Sequence, residues 1–530
     1  MQKFLFSLCF MTSFQFYAQQ LELDNSYAVS GINATGLQSY NIYTGDGEGI
    51  SNSPFFMEDK SILIPYSLNP YYSAQFPNLA PTIGIKKYLE NGSLDTTFGN
   101  NGTALFTANF HADRFNVYGV TIQSDGKIIL VGRTHRLGVF SRDYQTFICR
   151  LNANGTADTT FGTNGLVKLN MYVENSADSN DERFVDVAVD NQNRIVAVGY
   201  TYWYLGSSLY DGSAIAYRFL SNGTIDTSFA TNGKLELSLT AIDNFTNIYK
   251  SGDDYILLGN TNPTRSQNDF LITKIDTDGN LVSSFGVNGI SQIDFGGNVS
   301  AVKIFFENNN KMMVTGLKIG SGLAFAKINS DGSLDNAFSL DGKNTTNLPV
   351  PNHYPIGSET YPGITSNHIS RLPDNKYILV STVRYVNSYD YAIACLNDDT
   401  TLNLNFMTNG IYLNDIAAFD WARALHVQND GKIVVLVGST LFKYLNFSTL
   451  NLNSLDATVF NVSVFPNPTY NQLYVNKLAN EIIVSDITGK IFLNFQQVDE
   501  INLSALKNGV YFVNLYFENG IKIVKKIVKN

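Results

Sequence analysis

Ser124-Asp125-Gly126-Lys127-Ile128-Ile129-Leu130-Val131-Gly132, followed later by Ala157-Asp158-Thr159-Thr160-Phe161-Gly162-Thr163-Asn164-Gly165, decides the fold. The first stretch is a tight polar turn that feeds an almost wholly apolar run, as a strand buried on both faces requires. The second is a polar phrase built round one aromatic residue and spaced glycines. It returns in seven copies, with Tyr27, Phe98, Phe161, Phe229, Phe285, Phe338 and Phe406 as the aromatic residue. The turn-and-strand element returns as well, from Asp59, Asp125, Asn193, Asp253, Asn310, Asp374 and Asp430. Two independent markers give the same count, so the chain is an array of one supersecondary unit.

Each unit reads as four strands. In the second, strand one runs from Phe115 to Gln123, strand two from Lys127 to Val131, strand three from Thr146 to Asn152 and strand four from Leu166 to Met171. Units of about 60 residues with this pattern stack radially as the blades of a β-propeller. The first phrase, Leu23-Asp24-Asn25-Ser26-Tyr27-Ala28-Val29-Ser30-Gly31, has no strands before it. The last unit has three strands, Trp421 to Val437 and Leu441 to Asn446, and no phrase after them. The surplus at one end matches the deficit at the other. The expectation is a seven-bladed propeller closed by residues 21–40, which removes an open sheet edge.

The ends differ from the middle. Residues 1–18 have the form of a secretory signal: Lys3, an apolar run from Phe4 to Phe10, and a cut after Ala18. Residues 19–450 are the propeller, 451–462 a linker, and 463–530 a small β-sandwich with short alternating strands. The terminal Lys522, Lys525, Lys526 and Lys529 read equally as a receptor-read signal or as a guarded edge strand. No stretch beyond the signal is long and apolar enough to span a membrane. The net charge of −10 has no basic stripe within it, which argues against nucleic acid. Cys149 and Cys395 fall on strand three of non-adjacent units and are expected to be buried free thiols.

Two resemblances follow. Residues 463–530 resemble the type A sorting domain of the type IX (Por) secretion system, through Pro466-Asn467-Pro468, Asp486-x-x-Gly489-Lys490, Asn502-Leu503-Ser504-x-Leu506-x-x-Gly509-Val510-Tyr511 and the basic end. The resemblance implies passage through the periplasm, engagement of the type IX machinery, and release or attachment at the outer-membrane surface. Residues 21–445 resemble the delta-60 repeat proteins, through Leu-Asp-x-x-Phe-Gly-x-x-Gly and Asp-Gly-Lys-Ile-x-x-x-Gly. Units five and six depart from the pattern at Ser339, Asn403 and Met407. That label names a repeat and supplies no catalytic residue.

Residues repeated in every unit read as structural. Asp95, Asp158, Asp226 and Asp335 recur in the phrase, and Lys87, Arg150, Arg218, Lys274, Lys327 and Lys443 on strand three. This predicts an ion pair inside each blade, with Arg150–Asp158 and Arg218–Asp226 as the test cases. Asp276-x-Asp278-Gly279-Asn280 opens like a calcium loop, but its counterparts Glu90-Asn91-Gly92 and Ser221-Asn222-Gly223 favour a turn, so no cofactor is expected. The metal question stays open at Asp46 with Glu48 and at Asp178, Asp181 and Glu182. The histidines show no ligand spacing, and no nucleophile elbow, Cys-His pair or phosphate loop is present.

Function is expected on the variable loops between strands two and three and between units. Tyr202, Trp203, Tyr204, Tyr361 and Tyr385 lie in such loops and are the candidate binding residues, offering aromatic faces to a glycan or protein. Packing over the blades is the plainer account of the same residues. Two function classes remain. One is a secreted or surface-attached binding module, and the other is a secreted propeller enzyme acting on polysaccharide. A carboxylate or metal cluster at the central channel would favour the enzyme.

Overall fold

The computed structural model describes residues 21–35, 54–68, 82–107, 113–136, 144–169, 181–206, 209–263, 267–318, 322–348, 368–384, 389–407, 409–414, 420–445, 464–486, 490–517 and 522–530. The expected signal segment, the linker at 451–462 and the pair Asp46–Glu48 fall outside them. The chain divides into two compact units, Met1–Ser448 and Thr449–Asn530. Among the described residues there is no α-helix.

The larger unit is a succession of four-stranded antiparallel meanders. The second consists of Asp113–Ile122, Ile128–Arg136, Tyr144–Leu151 and Leu166–Leu169, paired in that order. Five such sheets stand alone. The third and fourth meanders, from Asp181–Val189 to Lys234–Leu237 and from Ile242–Ser251 to Ile290–Ile293, share one parallel bridge between Gly212 and Ile242, and so form a single eight-stranded sheet. The last meander holds Ala422–Val427, Ile433–Val437 and Thr440–Tyr444, and its fourth strand is Ile32–Ala34. That N-terminal strand is antiparallel to Thr440–Tyr444, with Ile32 opposite Phe442 and Ala34 opposite Thr440.

Apolar side chains on both faces of each sheet are consumed by the neighbouring sheets. One cluster joins sheets one and two through Ile83, Phe106, Phe115 and Leu130. Others join each sheet to the next up to the seventh. A further cluster of Tyr27, Ile62, Ile64, Tyr88, Val434 and Leu436 joins the last sheet to the first.

The recurring phrase makes the joint between sheets. In unit two, the Gly162 amide donates to the carbonyl of Asn222, in the strand three–four turn of the next unit, at 2.9 Å. Gly99 to Asn154, Ala230 to Asp278 and Gly286 to Asp331 repeat this bond, and Ala28 to Asn91 makes it between the last unit and the first. The phrase aromatic lies under the neighbouring turn: a Cβ placed on Gly223 would sit 3.0 Å from the Phe161 ring. Phe161 and Phe229 are fully buried, and truncating such a residue costs about 3–5 kcal/mol.

The phrase glycine is explained by backbone geometry. All seven copies are left-handed there, with φ of 44° at Ala28, 59° at Gly99, 51° at Gly162, 43° at Ala230, 54° at Gly286, 50° at Ser339 and 47° at Met407. Glycine takes that conformation freely, so the four other residues carry strain.

The expected ion pairs form in units one to three. Arg150 Nε meets Asp158 at 2.8 Å, Arg218 Nε meets Asp226 at 2.7 Å, and Lys87 meets Asp95 at 3.0 Å. Elsewhere the pairing is rerouted. Unit four has Val282 where the phrase Asp would stand, and Lys274 turns to Asp254 at 2.9 Å. In unit five Lys327 takes Glu307 and Lys311 takes Asp335; in unit seven Lys432 takes Asp24. A flexible ammonium accepts whichever carboxylate is nearest, whereas the planar guanidinium holds one geometry. In unit six Cys395 and Asn403 stand in these positions, and the amide of Asn403 donates to the sulfur at 3.7 Å. Cys149 and Cys395 are buried free thiols.

In the C-terminal unit the sequence reading expected two layers. Its strands Val464–Phe465, Gln472–Ser485, Ile491–Asn502, Gly509–Tyr516 and Lys522–Lys529 belong to one hydrogen-bonded sheet, with a register break between Tyr474 and Ala479. The core is its own, built from Leu473, Ile482, Val484, Val513, Leu515 and Ile527. The lysine-rich strand is an edge of this sheet.

Candidate functional site

Three places carry chemistry-bearing side chains that the blade joints do not absorb in the same way.

The first is the aromatic run. Residues 200–214 were expected to form a loop, but they continue the hairpin of unit three. Strands Ile195–Gly206 and Leu209–Phe219 pair throughout, with Tyr200 opposite Ala214, Tyr202 opposite Gly212, Trp203 opposite Asp211 and Tyr204 opposite Tyr210. Aromatic and β-branched residues favour a paired strand, and that preference governs here. Consecutive strand residues face opposite sides, so Tyr202 and Trp203 take different faces. Tyr202 covers Gly212, where an added Cβ would lie 2.3 Å from its ring. It also packs on Tyr200 at 4.5 Å between centroids, and the Arg183 guanidinium lies 5.0 Å from Tyr200. Tyr361 and Tyr385 lie outside the described residues.

The second place is a pocket of about 460 Å³ where the last unit meets the first, lined by Ser26, Tyr27, Asp59, Glu90, Lys432 and Lys443. At the joint between units two and three the equivalent space holds the Arg150 guanidinium, which stacks 4.5 Å from Phe161 and donates to the carbonyl of Ser221. Here the shorter Lys443 lies 5.3 Å from the Tyr27 ring and reaches the Glu90 carbonyl at 3.3 Å. Lys60 bridges Glu90 and Asp430, both at 2.9 Å. Lys60 and Lys432 are thus paired with carboxylates, while Lys443 is held by a carbonyl and a ring.

The third place was not legible as a site. The first strands of units two to seven touch in succession, and polar side chains on them pass hydrogen bonds from unit to unit. Asp186 accepts from the Ile248 amide at 3.0 Å, Tyr249 from the Ile304 amide at 3.0 Å, and Lys303 donates to the Ile369 carbonyl at 3.3 Å. Burial pushes the Asp186 carboxyl up to about 6, although bonds from Ile248 and Val187 oppose the shift. Burial lowers the Lys303 ammonium. His368 falls to about 3 through burial and the neighbouring charges of Lys303 and Arg423. His426 falls to about 4 through burial and Lys303, and its ring stacks on Phe56 at 4.5 Å. The Arg423 guanidinium is itself lowered to about 10 by burial. Asp186 is the carboxylate among these groups and Lys303 and Arg423 are the cations, since the lowered histidines are neutral near pH 7. No sequence spacing links Lys303, His368, Arg423 and His426; only the ring of first strands assembles them.

Among the described residues no group of three or more His, Cys, Asp or Glu is placed to hold a metal ion. The Asp276 segment is a turn: its carboxylate accepts from the amides of Asp278 and Asn280 at 2.9 and 2.8 Å. Of the acidic trio, Glu182 is buried and Asp178 lies outside the described residues.

Comparisons with known proteins bear on both units. Residues 463–530 match the family described as a secretion system C-terminal sorting domain. Residues 123–161 match a β-propeller domain of unknown function, DUF5122. The tail is thus a sorting domain of the Por type, which marks the chain for export to the cell surface or beyond, and the repeat is of a propeller kind. No curated protein matches the chain. Similar solved structures include a chain of the mitotic checkpoint complex, 8% identical with a TM-score of 0.41 over 80% of this chain and 93% of that one. Drosophila Semaphorin 1a, extracellular domains 1–2, is 10% identical with a TM-score of 0.36 over 78% and 89%. A GH43 β-1,3-galactosidase is 8% identical with a TM-score of 0.30 over 55% and 94%. Likenesses at these scores carry no argument. No helix among the described residues is long and apolar enough to cross a membrane.

Proposed function

We propose that this chain is an exported binding protein: a seven-bladed β-propeller, closed by its N-terminal segment, delivered through the type IX machinery by residues 463–530 and presented outside the cell. Seven meanders, and a core cluster between the last and the first, support the closed ring. The observation that carries the binding role is a division of labour among the polar residues. Those that repeat are absorbed by the joints, as in Arg150–Asp158 and the bond from Gly162 to Asn222. Several that do not repeat lie on the first strands, as Asp186, Tyr249 and Lys303 do, or on the unit-three hairpin. Variation concentrated on a rigid repeated scaffold is the usual arrangement of a recognition surface. On this reading Tyr202, Trp203 and Tyr204 serve the ligand from the hairpin, and Tyr361 and Tyr385 remain candidates from their sequence context. The ligand is a glycan or a protein.

The test is a glycan array probed with the mature chain, with and without calcium, beside a hydrolysis assay on the same polysaccharides. Saturable capture without turnover is expected. Product release from any of them would replace this reading with the polysaccharide-active enzyme. In the native host, removing residues 463–530 is expected to hold the protein in the periplasm; its normal appearance outside would refute the sorting role.

A further inference from the structure

Unit four departs from its neighbours at the end of the sheet where the variable loops attach. In unit one, strand three opens with Thr82 and strand four closes with Thr107; the two are opposite in register, with their hydroxyls 3.2 Å apart. In unit three Ser213 and Ser238 hold the same positions, and their hydroxyls are 2.5 Å apart. In unit four the positions fall to Asp269 and Asp294. Asp269 opens strand Asp269–Ile275, and Phe270 is opposite Ile293, so the next step of the register sets Asp294 against Asp269. Two hydroxyls satisfy each other, since each can donate. Two ionised carboxylates have no donor between them, and like charges directly opposite repel. The fold offers the pair little relief. Asp269 is 5% exposed, and its Oδ1 has no hydrogen-bond partner. Its Oδ2 receives one long bond, from Gln292 at 3.4 Å. Asp294 accepts from the Gly296 amide at 2.6 Å. Among the described residues neither carboxylate forms an ion pair. The nearby ammonium groups of Lys343 and Lys318 donate instead to the main-chain carbonyls of Asp294 and Phe295, at 2.9 and 2.7 Å. Burial, and next the charge of Asp294, raise the Asp269 carboxyl above its usual value.

We infer that Asp269 and Asp294, with the side-chain oxygen of Gln292, bind a hard divalent cation of the calcium class at the variable-loop end of unit four. Gln292 stands two residues before Asp294 and so shares its sheet face. Carboxylate and amide oxygens are the donors such an ion prefers, and water completes its shell. The buried Oδ1 of Asp269 gains the partner it lacks, and the repulsion between the two carboxylates becomes a shared attraction to the ion. The ion ties the loop that enters strand three to the connection that leaves strand four. With only two charged ligands the affinity belongs with that of extracellular calcium modules, a Kd of about 10⁻⁴–10⁻³ M. This site goes beyond the binding reading above and does not depend on it.

The experiment is calorimetric titration and thermal unfolding of the metal-stripped mature full chain with calcium chloride and magnesium chloride, against sodium chloride at matched ionic strength and near-neutral pH. The wild type is expected to bind calcium saturably and to rise in Tm, with a weaker response to magnesium, which demands stricter octahedral geometry. The main variant is Asp269→Ser with Asp294→Ser, which installs the hydroxyl pair of unit three. It should lose one equivalent of bound calcium, and its Tm without metal should equal or exceed that of the metal-free wild type. Asp269→Asn is a smaller change that keeps the side-chain size, and it should lose the same equivalent. Equal calcium binding in wild type and both variants, or no saturable binding by the wild type, would overturn the inference. A proton shared between the carboxylates is the rival account. It predicts a wild type that gains stability on mild acidification and ignores calcium, with the gain abolished in the serine variant, and that result would also overturn the cation site.

Discussion

The joint between units two and three and the joint between the last unit and the first are made of the same parts. In both, a left-handed phrase residue donates its amide to the neighbouring turn, Gly162 to Asn222 and Ala28 to Asn91. In both, a strand-three cation lies against the phrase aromatic, Arg150 against Phe161 and Lys443 against Tyr27. They differ in how the chain supplies them. The inner joint comes from consecutive sequence, whereas the seam brings residues 24–34 to residues 440–444. They differ also in quality: the seam has a lysine for an arginine, a strained alanine for a glycine, and an open pocket. The comparison teaches that the phrase is a joint. Its repetition reflects sheet-to-sheet docking, and the contact between the last unit and the first reuses that joint with a lysine for an arginine and an alanine for a glycine.

The largest expected effect comes from removing the seam. Deleting residues 19–35 takes away the fourth strand of the last sheet and Tyr27, whose burial alone is worth about 3–5 kcal/mol. Chemical denaturation should show a much lower midpoint and a broader transition. An unchanged midpoint would mean the two joints are not equivalent.

A smaller loss is expected at the inner ion pair. Arg218→Met takes from Asp226 its nearest cation and leaves it Arg194 at 4.0 Å and the bonds from Ser228. A cost of about 2–3 kcal/mol is expected, below the range for a buried charge left alone because those contacts remain. A double-mutant cycle with Asp226→Asn should recover part of it. Additive effects would show that the two side chains do not act together.

The seam should be the more acid-sensitive of the two joints. Burial works to raise the Asp24 carboxyl, but hydrogen bonds from Lys432 and Ser26 outweigh it and hold it down at about 2. A depressed carboxylate contributes its full stability above its unfolded value, roughly 3.9, and loses it as pH falls through that value towards the folded one. Stability is therefore expected to decline between about pH 4 and pH 2, and Asp24→Asn should flatten that decline. An identical acid limb in the variant would remove Asp24 from the account.

The smallest effect concerns the strained alanine. Ala28 sits at φ 44°, where a residue with a Cβ pays roughly 1–2 kcal/mol that glycine avoids. Glycine's greater unfolded-state entropy returns part of that. Ala28→Gly should therefore raise stability by about 0.5–1 kcal/mol. Lower stability would indicate that the Ala28 methyl makes a contact worth more than the strain.

Much of the scaffold could be read from residues alone, because a phrase copied seven times leaves a periodic trace. The turn at Asp125-Gly126, the free thiols and the Arg150–Asp158 pair follow from local patterns of that kind. The lysine pairings in units five and seven did not, since a flexible ammonium can choose among several carboxylates. The unit-three hairpin was misread because its residues, Tyr200 to Tyr204, are unmatched in other units. Its strand preference was there to be used. The hydrogen bonds that pass between first strands, from Asp186, Tyr249 and Lys303, leave no local signal, since their partners lie in the next unit.

The seam is tested most directly by a disulfide across it. Ala34 and Thr440 are opposite in register, at a non-hydrogen-bonded site flanked by the bond from Thr35 to Ser439. Cα atoms of such a pair lie about 4.5 Å apart, within disulfide reach. The native Cys149 and Cys395 are buried and do not compete. In the mature chain, Ala34→Cys with Thr440→Cys should form one intramolecular bond under mild oxidation and raise the unfolding temperature. Two unlinked thiols in the folded protein, or a bond formed only between molecules, would contradict closure by the N-terminal strand.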